Sequence, residues 1–490
     1  HGLVPNCSSP VVSSVIKAEA LTSTTDTGKM SEIMDGYRAL ITRLATQQSG
    51  GIGFSKFDID TAALLSGIEF NDQNKAHLHD CIVSLTHWFN TERTRFCREV
   101  YFITLHVGLA TCPWGRYVAW SVLSAFDSQP MTHMQPNIVF KKTDSLHAEG
   151  APNHDLYLQA LAVTARRMIP TYLLLDSAPN ADCDNERIGI SGCRSRVDQN
   201  ENGRAGAYGR GNAAFVTLNL VRLALQSTGE GDFFQRLSDL LPKAKAVLDS
   251  RNEALLKGHH CAGAFPLWHG VETIQDLIAS ATHSVGFIGL SETVEVLTGD
   301  KLHESDKARD LGMAIVRHMR AYVDGQRKEC GMNYSLLATT AEYLSGRFID
   351  RDRADYPHPV TDKGFYTNSF HVEVDSKVSI PDKLRLEGPF HLLCNGGSIS
   401  YVEFREAPLS NVLGLADAVE MAQRHGVSYL GFNYPLDVCR TCQTRGTFDT
   451  CANCGSADIM RVRRVSGYLQ DVDYFTKGKK AEIRDRRANE

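Results

Sequence analysis

The 490-residue chain is 42% hydrophobic and 22% charged, as in ordinary globular proteins, and its net charge of −5 offers no basic field for stable nucleic-acid binding. No run reaches the roughly 18 to 20 apolar residues of a membrane helix, and the first residues do not read as a signal peptide. We therefore predict no membrane association and a cytoplasmic, reducing location, where the 13 cysteines are thiols or metal ligands rather than disulfides.

The first half of the chain combines helical and strand-like segments. Residues 29–140 have polar helix faces and few breakers, which predicts mainly helix. Residues 171–176 form a short apolar run ending in an acid, which is typical of a buried strand. Residues 177–211 are rich in Gly, Asn, Asp and Arg and predict long loops. A second apolar run, 214–220, follows them.

The second half alternates helix and strand. Apolar residues three and four apart predict a helix over 232–257, bent near Pro242, and another over 412–419. Gly426 fits a helix stop, and 427–432 reads as a buried strand. Repeated helix–strand units indicate an α/β architecture. The periodicity leaves open whether the sheet is open or closed.

The composition changes after Pro435, where cysteine, arginine and glycine replace the apolar residues. Two Cys-x-x-Cys pairs follow, and together they can present four thiolates in a tetrahedron, which suits a structural zinc ion. The four cysteines are Cys439, Cys442, Cys451 and Cys454. A redox dithiol or two disulfides are the alternatives. No spacing indicates a ligand role for Cys81, Cys97, Cys112, Cys183, Cys261, Cys330 or Cys394, nor for His259-His260-Cys261 as a group.

Short motifs spread in order over most of the chain resemble those of anaerobic ribonucleotide reductases, which are oxygen-sensitive glycyl radical enzymes. The motifs lie at 48–54 (Gln-Ser-Gly-Gly-Ile-Gly-Phe), 135–139 (Gln-Pro-Asn-Ile-Val), 192–197 (Gly-Cys-Arg-Ser-Arg-Val), 366–371 (Tyr-Thr-Asn-Ser-Phe-His) and 464–469 (Arg-Val-Ser-Gly-Tyr-Leu). Further matches lie at 57–58, 210–212, 217–220, 283–292 and 401–403. Their common order is more specific than any one motif.

The resemblance implies a ten-stranded α/β barrel with a glycine finger loop entering one end and a cysteine loop entering the other. It divides the chain into a catalytic barrel (1–435), zinc-binding knuckles (436–460), and the glycyl radical loop with the C-terminal tail (461–490). It also implies a homodimer with deoxynucleotide effectors bound between the subunits.

The resemblance assigns the radical to Gly467 and the thiyl radical to Cys193. Glycine suits a backbone radical because no β-carbon twists the α-carbon out of the plane of its two amides, and because it permits a sharp loop. A sulfur–hydrogen bond is close in strength to this carbon–hydrogen bond, so hydrogen transfer can run both ways. Taken alone, Gly467 would be a turn glycine and Cys193 a small buried thiol.

Further site residues carried over by resemblance surround the substrate. Cys7 would be the second active-site cysteine and would supply a proton or electron at the 2′ position. Asn212 would hydrogen-bond the reacting ribose or the reductant, although a loop asparagine bonding its own backbone is an alternative. Thr367, Asn368 and Ser369 would bind substrate phosphates, or alternatively cap a helix.

The implied activity is the anaerobic reduction of ribonucleoside triphosphates to deoxyribonucleoside triphosphates, which supplies DNA precursors. A separate activating enzyme with a 4Fe-4S cluster and S-adenosylmethionine would install the radical on Gly467. Another glycyl radical enzyme, such as a formate acetyltransferase or a lyase, is an alternative, but these generally lack the cysteine quartet. A zinc-ribbon protein that binds nucleic acid is disfavoured by the acidic charge and the long α/β body.

Two departures from the family pattern carry expectations. A formate-using branch has a methionine two residues before the active-site cysteine, and Ser191 stands there. Since a hydroxyl cannot replace a thioether, we expect a glutaredoxin- or thioredoxin-like dithiol partner as reductant rather than formate. The family's N-terminal nucleotide-binding cone has no counterpart here, so we expect a truncated or shorter form without ATP/dATP on–off control.

Overall fold

The computed structural model describes residues 4–93, 100–258 and 273–489. Cys97 and His259-His260-Cys261 lie outside these residues. Within them, no helix combines the length and the apolar character that crossing a bilayer requires. Two sheets carry most of the architecture, one with ten strands and one with four.

The ten-stranded sheet consists of two parallel halves that meet in antiparallel fashion. The strands are β1 (Cys7–Ser9), β2 (Ile52–Phe54), β3 (Ile103–Val107), β4 (Asn137–Lys142), β5 (Thr171–Leu174), β8 (Arg210–Asn219), β9 (Thr282–Ile288), β10 (Asn333–Ala338), β11 (Ser400–Glu403) and β12 (Tyr429–Asn433). One half has the order β1 to β5, and the other contributes β8, β9, β10, β11 and β12. The halves join where β1 pairs with β8 and where β5 pairs with β12.

The two edges of this sheet meet, so the sheet closes into a barrel. The N–H of Ala338, at the end of β10, donates to the Gly397 carbonyl at 2.9 Å, just before β11 begins. The Gly396 N–H donates to the Leu336 carbonyl at 2.8 Å, and Leu337 and Gly397 form a parallel bridge. Closure removes the unpaired edges of the sheet. The prediction of a ten-stranded α/β architecture is confirmed.

Helices cover the barrel on the outside. They are α1 (Asp26–Ala45), α2 (Phe57–Leu64), α3 (Asp72–Thr91), α4 (Pro113–Ser128), α5 (Asp144–His147), α6 (His154–Arg167), α7 (Leu220–Leu225), α8 (Glu230–Gly258), α9 (Ile274–Ser280), α10 (Leu290–Thr298), α11 (Asp306–Cys330), α12 (Leu344–Asp355), α13 (Ile380–Leu393), α14 (Val412–Arg424) and α15 (Lys477–Asp485). The two largest apolar clusters lie under these helices, one against β2 to β5 together with β11 and β12, and the other against β8, β9 and β10. The buried apolar faces of the helices therefore provide most of the driving force for folding.

Most predicted elements of the second half have direct counterparts. The predicted helices are α8, which continues through Pro242, and α14, and the predicted strand is β12. Gly426, at φ +84°, ends α14 as expected. Residues 171–176 contain β5, and 214–220 lies mostly within β8.

The prediction of mainly helix over 29–140 is only partly correct. Helices α1 to α4 account for much of the segment, but β2 and β3 lie between these helices and β4 follows α4. Every residue of these three strands is buried. A strand covered on both faces shows no alternation of polar and apolar residues, so its sequence gives no period-two signal.

The segment 177–211, predicted as long loops, contains a hairpin inside the barrel. Its strands are β6 (Gly189–Ser191) and β7 (Ser195–Val197). Ile188 and Ile190 pack with Val139, Leu173 and Tyr429 from the surrounding wall. These apolar contacts anchor the hairpin inside the barrel and fix where its turn lies.

The last part of the chain forms the four-stranded sheet. It contains β13 (Leu436–Cys439), β14 (Arg445–Gly446), β15 (Ile459–Arg463) and β16 (Gln470–Asp471). β13 begins at Leu436, and β15 spans residue 460. The cysteine pairs and the glycine loop therefore adjoin the same sheet.

Candidate active site and metal centre

The turn between β6 and β7 carries Cys193. The N–H of Ile190 donates to His106 Nε2 at 2.9 Å, and His106 Nδ1 lies 3.0 Å from the Phe54 carbonyl. Since Nε2 accepts, Nδ1 carries the proton and donates. Burial holds the pKa of His106 well below its ordinary value, so the imidazole remains neutral and keeps this pair of bonds. The histidine thus ties the cysteine hairpin to β2.

The segment that closes the barrel contacts the other side of the same hairpin. A β-carbon at Gly397 would lie 2.0 Å from the Arg194 carbonyl oxygen, and the backbone at Gly397 has φ +123°. The Arg196 N–H donates to the Gly396 carbonyl at 2.9 Å. Only glycine permits this approach of two backbones. The same two glycines therefore close the barrel and fix the position of the cysteine turn.

The loop between β15 and β16 brings Gly467 directly onto Cys193. A β-carbon at Gly467 would lie 2.2 Å from the Cys193 β-carbon and 2.8 Å from its α-carbon. Gly467 is buried and has φ +139°, a conformation that side chains rarely adopt. No other residue fits here without displacing the cysteine turn.

Several bonds hold the glycine loop in place. The Ser466 hydroxyl donates to the Glu342 carboxylate, and an Arg194 nitrogen lies 3.5 Å from the Ser466 carbonyl. Arg486 Nη1, from the C-terminal tail, donates to the Arg464 carbonyl at 2.7 Å. The loop is thus attached to the segment after β10, to the cysteine turn and to the tail.

Cys7 and Cys193 open onto the same cavity, which has a volume of about 850 Å³. A β-carbon at Gly192 would lie 3.2 Å from Cys7 Sγ, which shows how close the second thiol is to the cysteine turn. The lining also includes Asn6, Phe102, Thr340, Glu342, Tyr468 and Lys479. A volume of this size is in the range of small-molecule sites.

Both thiols of the cavity are held in the protonated form. Burial, with a contribution from nearby Cys193, raises the pKa of Cys7 to about 12. Burial and the Glu342 carboxylate raise the pKa of Cys193, against the opposing charge of Arg194. At neutral pH both groups therefore carry the S–H bond that hydrogen-atom or proton donation requires.

Asn212 lies in β8 directly opposite Cys7. Its side-chain nitrogen donates to the hydroxyls of Thr282 at 2.9 Å and Ser284 at 3.0 Å, and its oxygen accepts from Asn6 Nδ2 at 3.3 Å. Unlike Asn6, it is not among the cavity-lining residues. The amide is bonded within the barrel wall rather than to its own backbone.

The segment with Thr367, Asn368 and Ser369 packs beside the N-terminus of α10 and does not line the large cavity. The carbonyls of Thr367 and Ser369 accept from the N–H groups of Gly289 and Leu290, which satisfies helix-end donors. The Thr367 hydroxyl donates to Glu292 at 2.7 Å. Ser369 Oγ and Asn368 Oδ1 are buried without a partner in the described part of the chain.

The four cysteines of the two Cys-x-x-Cys pairs converge. All four Sγ atoms lie within 4.8 Å of one another, and two of the separations are 3.5 Å. A tetrahedral zinc site with bonds of about 2.3 Å places its sulfurs about 3.8 Å apart, so the cluster has the right size. Donation by the Thr444 hydroxyl and the Asn453 amide lowers the pKa of Cys442 to about 5, which favours the thiolate.

The two cysteine pairs have the same backbone design. The residue after each pair, Gln443 or Gly455, is left-handed, and its N–H donates to the first cysteine's carbonyl at 2.9 Å. The N–H of the first cysteine donates to the carbonyl of the residue that follows the left-handed one. In the first pair Cys439 donates to Thr444 at 3.0 Å, and in the second pair Cys451 donates to Ser456 at 2.8 Å. Each turn thereby points two sulfurs at one place, as metal knuckles do.

Residues 29–488 match the profile of the family described as anaerobic ribonucleoside-triphosphate reductase. The chain belongs to this family. The reductase of Escherichia coli (strain K12) is 33% identical over 449 residues, which cover 85% of this chain and 62% of that protein. The Salmonella typhimurium reductase is 35% identical over 441 residues, covering 83% and 61%. The chain therefore spans about three fifths of the length of these curated relatives.

The fold of the reductase family is also seen in solved structures. The anaerobic ribonucleotide reductase from Thermotoga maritima, in complex with dATP and CTP, has a TM-score of 0.74 and 16% identity to this chain. The match covers 99% of this chain and 82% of that one. The suspected family is thus confirmed, and the alternatives of a zinc-ribbon protein or another glycyl radical enzyme are not favoured.

Some residues around the large cavity had no assigned role in the sequence. Glu342 contacts the glycine loop, and His106 holds the cysteine hairpin. Glu342 follows the apolar run of β10, and polar residues after a buried strand are a usable signal for a site. His106 is an isolated histidine within a strand, so its partner on the hairpin is visible only in three dimensions.

The pKa values predict a reactivity order for the thiols. In native protein at pH 7 to 8, iodoacetamide should modify exposed Cys112 and Cys330 much faster than Cys7 or Cys193, because only the thiolate reacts. The rates can be read from anaerobic mass spectrometry of tryptic peptides. Cys7 labelling as fast as Cys112 would contradict the raised pKa of the buried thiol.

The cysteine quartet predicts metal binding by four thiolates. Protein purified anaerobically should contain about one zinc ion per chain, and Cys442→Ser should lose most of it because a structural site needs all four ligands. Cys112→Ser and Cys330→Ser are matched controls that should keep full metal content by plasma mass spectrometry. Unchanged zinc in Cys442→Ser would show that the quartet is not the ligand set.

Proposed function

We propose that this protein reduces ribonucleoside triphosphates to deoxyribonucleoside triphosphates without oxygen, using a radical stored on Gly467. Membership in the reductase family supports this reaction. The observation that carries the assignment of residues is the approach of Gly467 to Cys193, where an added β-carbon would lie 2.2 Å from the cysteine's own. Such a contact lets a hydrogen atom pass between the two residues without a chain of intermediates.

The reaction begins with a hydrogen-atom transfer inside the protein. The Gly467 α-carbon radical takes the hydrogen atom of the Cys193 thiol, which leaves a closed-shell glycine and a thiyl radical. The thiyl radical removes the 3′ hydrogen of the ribonucleotide, and this hydrogen returns at the end of the cycle. The raised pKa of Cys193 serves this role because a thiolate has no hydrogen atom to give.

Cys7 acts on the 2′ position. Its thiol supplies the proton with which the 2′ hydroxyl leaves as water, and its high pKa keeps that proton in place until it is needed. Asn212 positions this part of the site, because it pairs with Cys7 across the strands and fixes Asn6 at the cavity wall.

The two electrons come from a dithiol carried by a small redox protein. Ribonucleotide and dithiol give deoxyribonucleotide, water and a disulfide. The absence of a thioether at Ser191 supports this choice over formate. Ser191 lies in β6 beside the cysteine turn, and its hydroxyl is buried without a partner among the described residues.

The remaining partners follow from the family. An activating enzyme with a 4Fe-4S cluster and S-adenosylmethionine removes the Gly467 hydrogen, zinc occupies the cysteine quartet, and deoxynucleotides regulate a homodimer. The T. maritima structure, solved with dATP and CTP, supports nucleotide ligands. Thr367, Asn368 and Ser369 are the proposed phosphate contacts, carried over from the family. They lie outside the lining of the large cavity, and the buried Ser369 hydroxyl, which has no partner among the described residues, is the donor that supports this role. Burial and Glu373 raise the pKa of Glu292 to about 7, so this carboxyl can be neutral beside the phosphates.

Anaerobic activation should produce a doublet in the electron paramagnetic resonance spectrum that is lost in Gly467→Ala. Alanine both removes the flat radical geometry and collides with Cys193. Gly325→Ala is the matched control, because Gly325 lies in α11 with open space around its α-carbon. A doublet that persists in Gly467→Ala would place the radical elsewhere.

The variant Cys193→Ser distinguishes formation of the Gly467 radical from the reduction of the ribonucleotide. This variant should still form the doublet, because Gly467 is intact, but reduction of ribonucleotides should fall below detection. Turnover of Cys193→Ser near the normal rate would remove the thiyl step from the proposal.

Activated enzyme should turn over with a glutaredoxin- or thioredoxin-type dithiol and not with formate alone. The physical reason is the hydroxyl at Ser191, which cannot form the sulfur-centred contact that a thioether provides. The readout is deoxynucleotide formed per chain with each reductant. Sustained turnover on formate in the absence of any dithiol would reject the proposed reductant while leaving the radical assignment untouched.

A further inference from the structure

A second cavity, of about 420 Å³, borders the glycine loop at Arg464. Its lining is unusually basic, with five arginines against the single carboxylate of Glu403. The arginines are Arg405, Arg463, Arg464, Arg486 and Arg487. No step of the proposed reaction uses this cavity.

Arg464 is the deepest of these arginines and is fully buried. Its Nε donates to Asn433 Oδ1 at 3.0 Å and its Nη2 to the Phe432 carbonyl at 2.5 Å, but Nη1 has no partner. Within the described ranges Arg464 makes no ion pair with a carboxylate. A buried cation without a counter-charge is costly, so a missing anion is the physical expectation.

The carboxylates near the cavity already form ion pairs with other arginines. Glu403 and Glu482 pair with Arg486 at 3.4 and 3.0 Å, and Asp437 pairs with Arg463 at 2.8 Å. Even so, Arg486 Nε is buried without a partner. The cluster therefore keeps unmet donors after the protein's own acids are counted.

The rim of the cavity adds charge that is open to solvent. Arg405 and Arg487 are exposed, and in the described part of the chain neither side chain forms an ion pair. The cavity thus has a buried cationic floor and a basic entrance, an arrangement that attracts an anion from solution.

We propose that this cavity binds a phosphate-type oxyanion, either inorganic phosphate or the terminal phosphate of a nucleotide. Guanidinium groups match the oxygens of phosphate with paired hydrogen bonds, and several arginines suit its multiple charge. The oxygens of the ligand accept hydrogen bonds from the donors of Arg464 and Arg486 that have no partner in the protein. The inference is independent of the radical chemistry and holds or fails in enzyme that has never been activated.

The bound anion stiffens the glycine loop. Arg464 precedes Gly467 in that loop, and Arg486 donates to the Arg464 carbonyl. A ligand that holds both guanidinium groups therefore ties the tail and the loop together. Exposure of Gly467 to a partner requires breaking these contacts.

The test measures binding of inorganic phosphate to the full chain by isothermal titration calorimetry at constant ionic strength. We expect about one site per chain, weakened at least tenfold in Arg405→Gln/Arg487→Gln. Arg347→Gln/Arg351→Gln is the matched control, because it removes two exposed arginines of α12 that lie outside this cavity. It should bind like the unaltered protein.

A second measurement keeps the test decisive. Hydrogen exchange of residues 464–489 should slow on adding phosphate to the unaltered protein and to the α12 control, but not in Arg405→Gln/Arg487→Gln. Competition of ATP with phosphate would assign the site to nucleotide phosphates, and its absence to free phosphate. No binding up to about 10 mM phosphate, which would reveal a Kd near 1 mM, or equal weakening in both double variants, would overturn the proposal.

Discussion

Much of the site follows from one steric constraint, the approach of the Gly467 backbone to the β-carbon of Cys193. An added β-carbon at Gly467 would lie 2.2 Å from that atom, a distance that non-bonded atoms do not reach. The glycine is therefore required by space as well as by the stability of a backbone radical. The loop and the hairpin that meet at this point are far apart in the sequence, so the barrel must position both.

The barrel positions the hairpin by closing on it. The bonds that join β10 to the segment before β11 use Gly396 and Gly397, and the same glycines contact the backbone of Arg194 and Arg196. A side chain at Gly397 would displace the hairpin and would also break the hydrogen bonds that join β10 to the segment before β11. His106 adds a bond from the opposite wall, and because burial keeps it neutral, this bond does not depend on pH near neutrality.

The sequence was most informative where the chemistry is local. The cysteine quartet, the helices α8 and α14, and β12 were predictable because spacing or periodicity within a short window specifies them. The buried strands β2 to β4 were not, because strands covered on both faces lack alternation. The family resemblance supplied Gly467 and Cys193, but only their contact in space explains why each needs the other. The positions of Glu342, His106 and Arg486 depend on pairings between distant segments, which no local pattern encodes.

The cysteine quartet and the glycine loop are connected through the side chain of one arginine. Arg440 lies between the cysteines of the first pair and forms ion pairs with Asp471 in β16 and, at 3.3 Å, with Asp458. Asp471 follows the glycine loop, so the knuckle and the far end of the loop share a charged contact that is largely buried on the Asp471 side. Four thiolates around one ion would fix the turn that carries Arg440, and this in turn fixes β16. So short a segment has little apolar core of its own, so a metal ion held by the cysteine quartet would add to the rigidity that keeps Gly467 against Cys193.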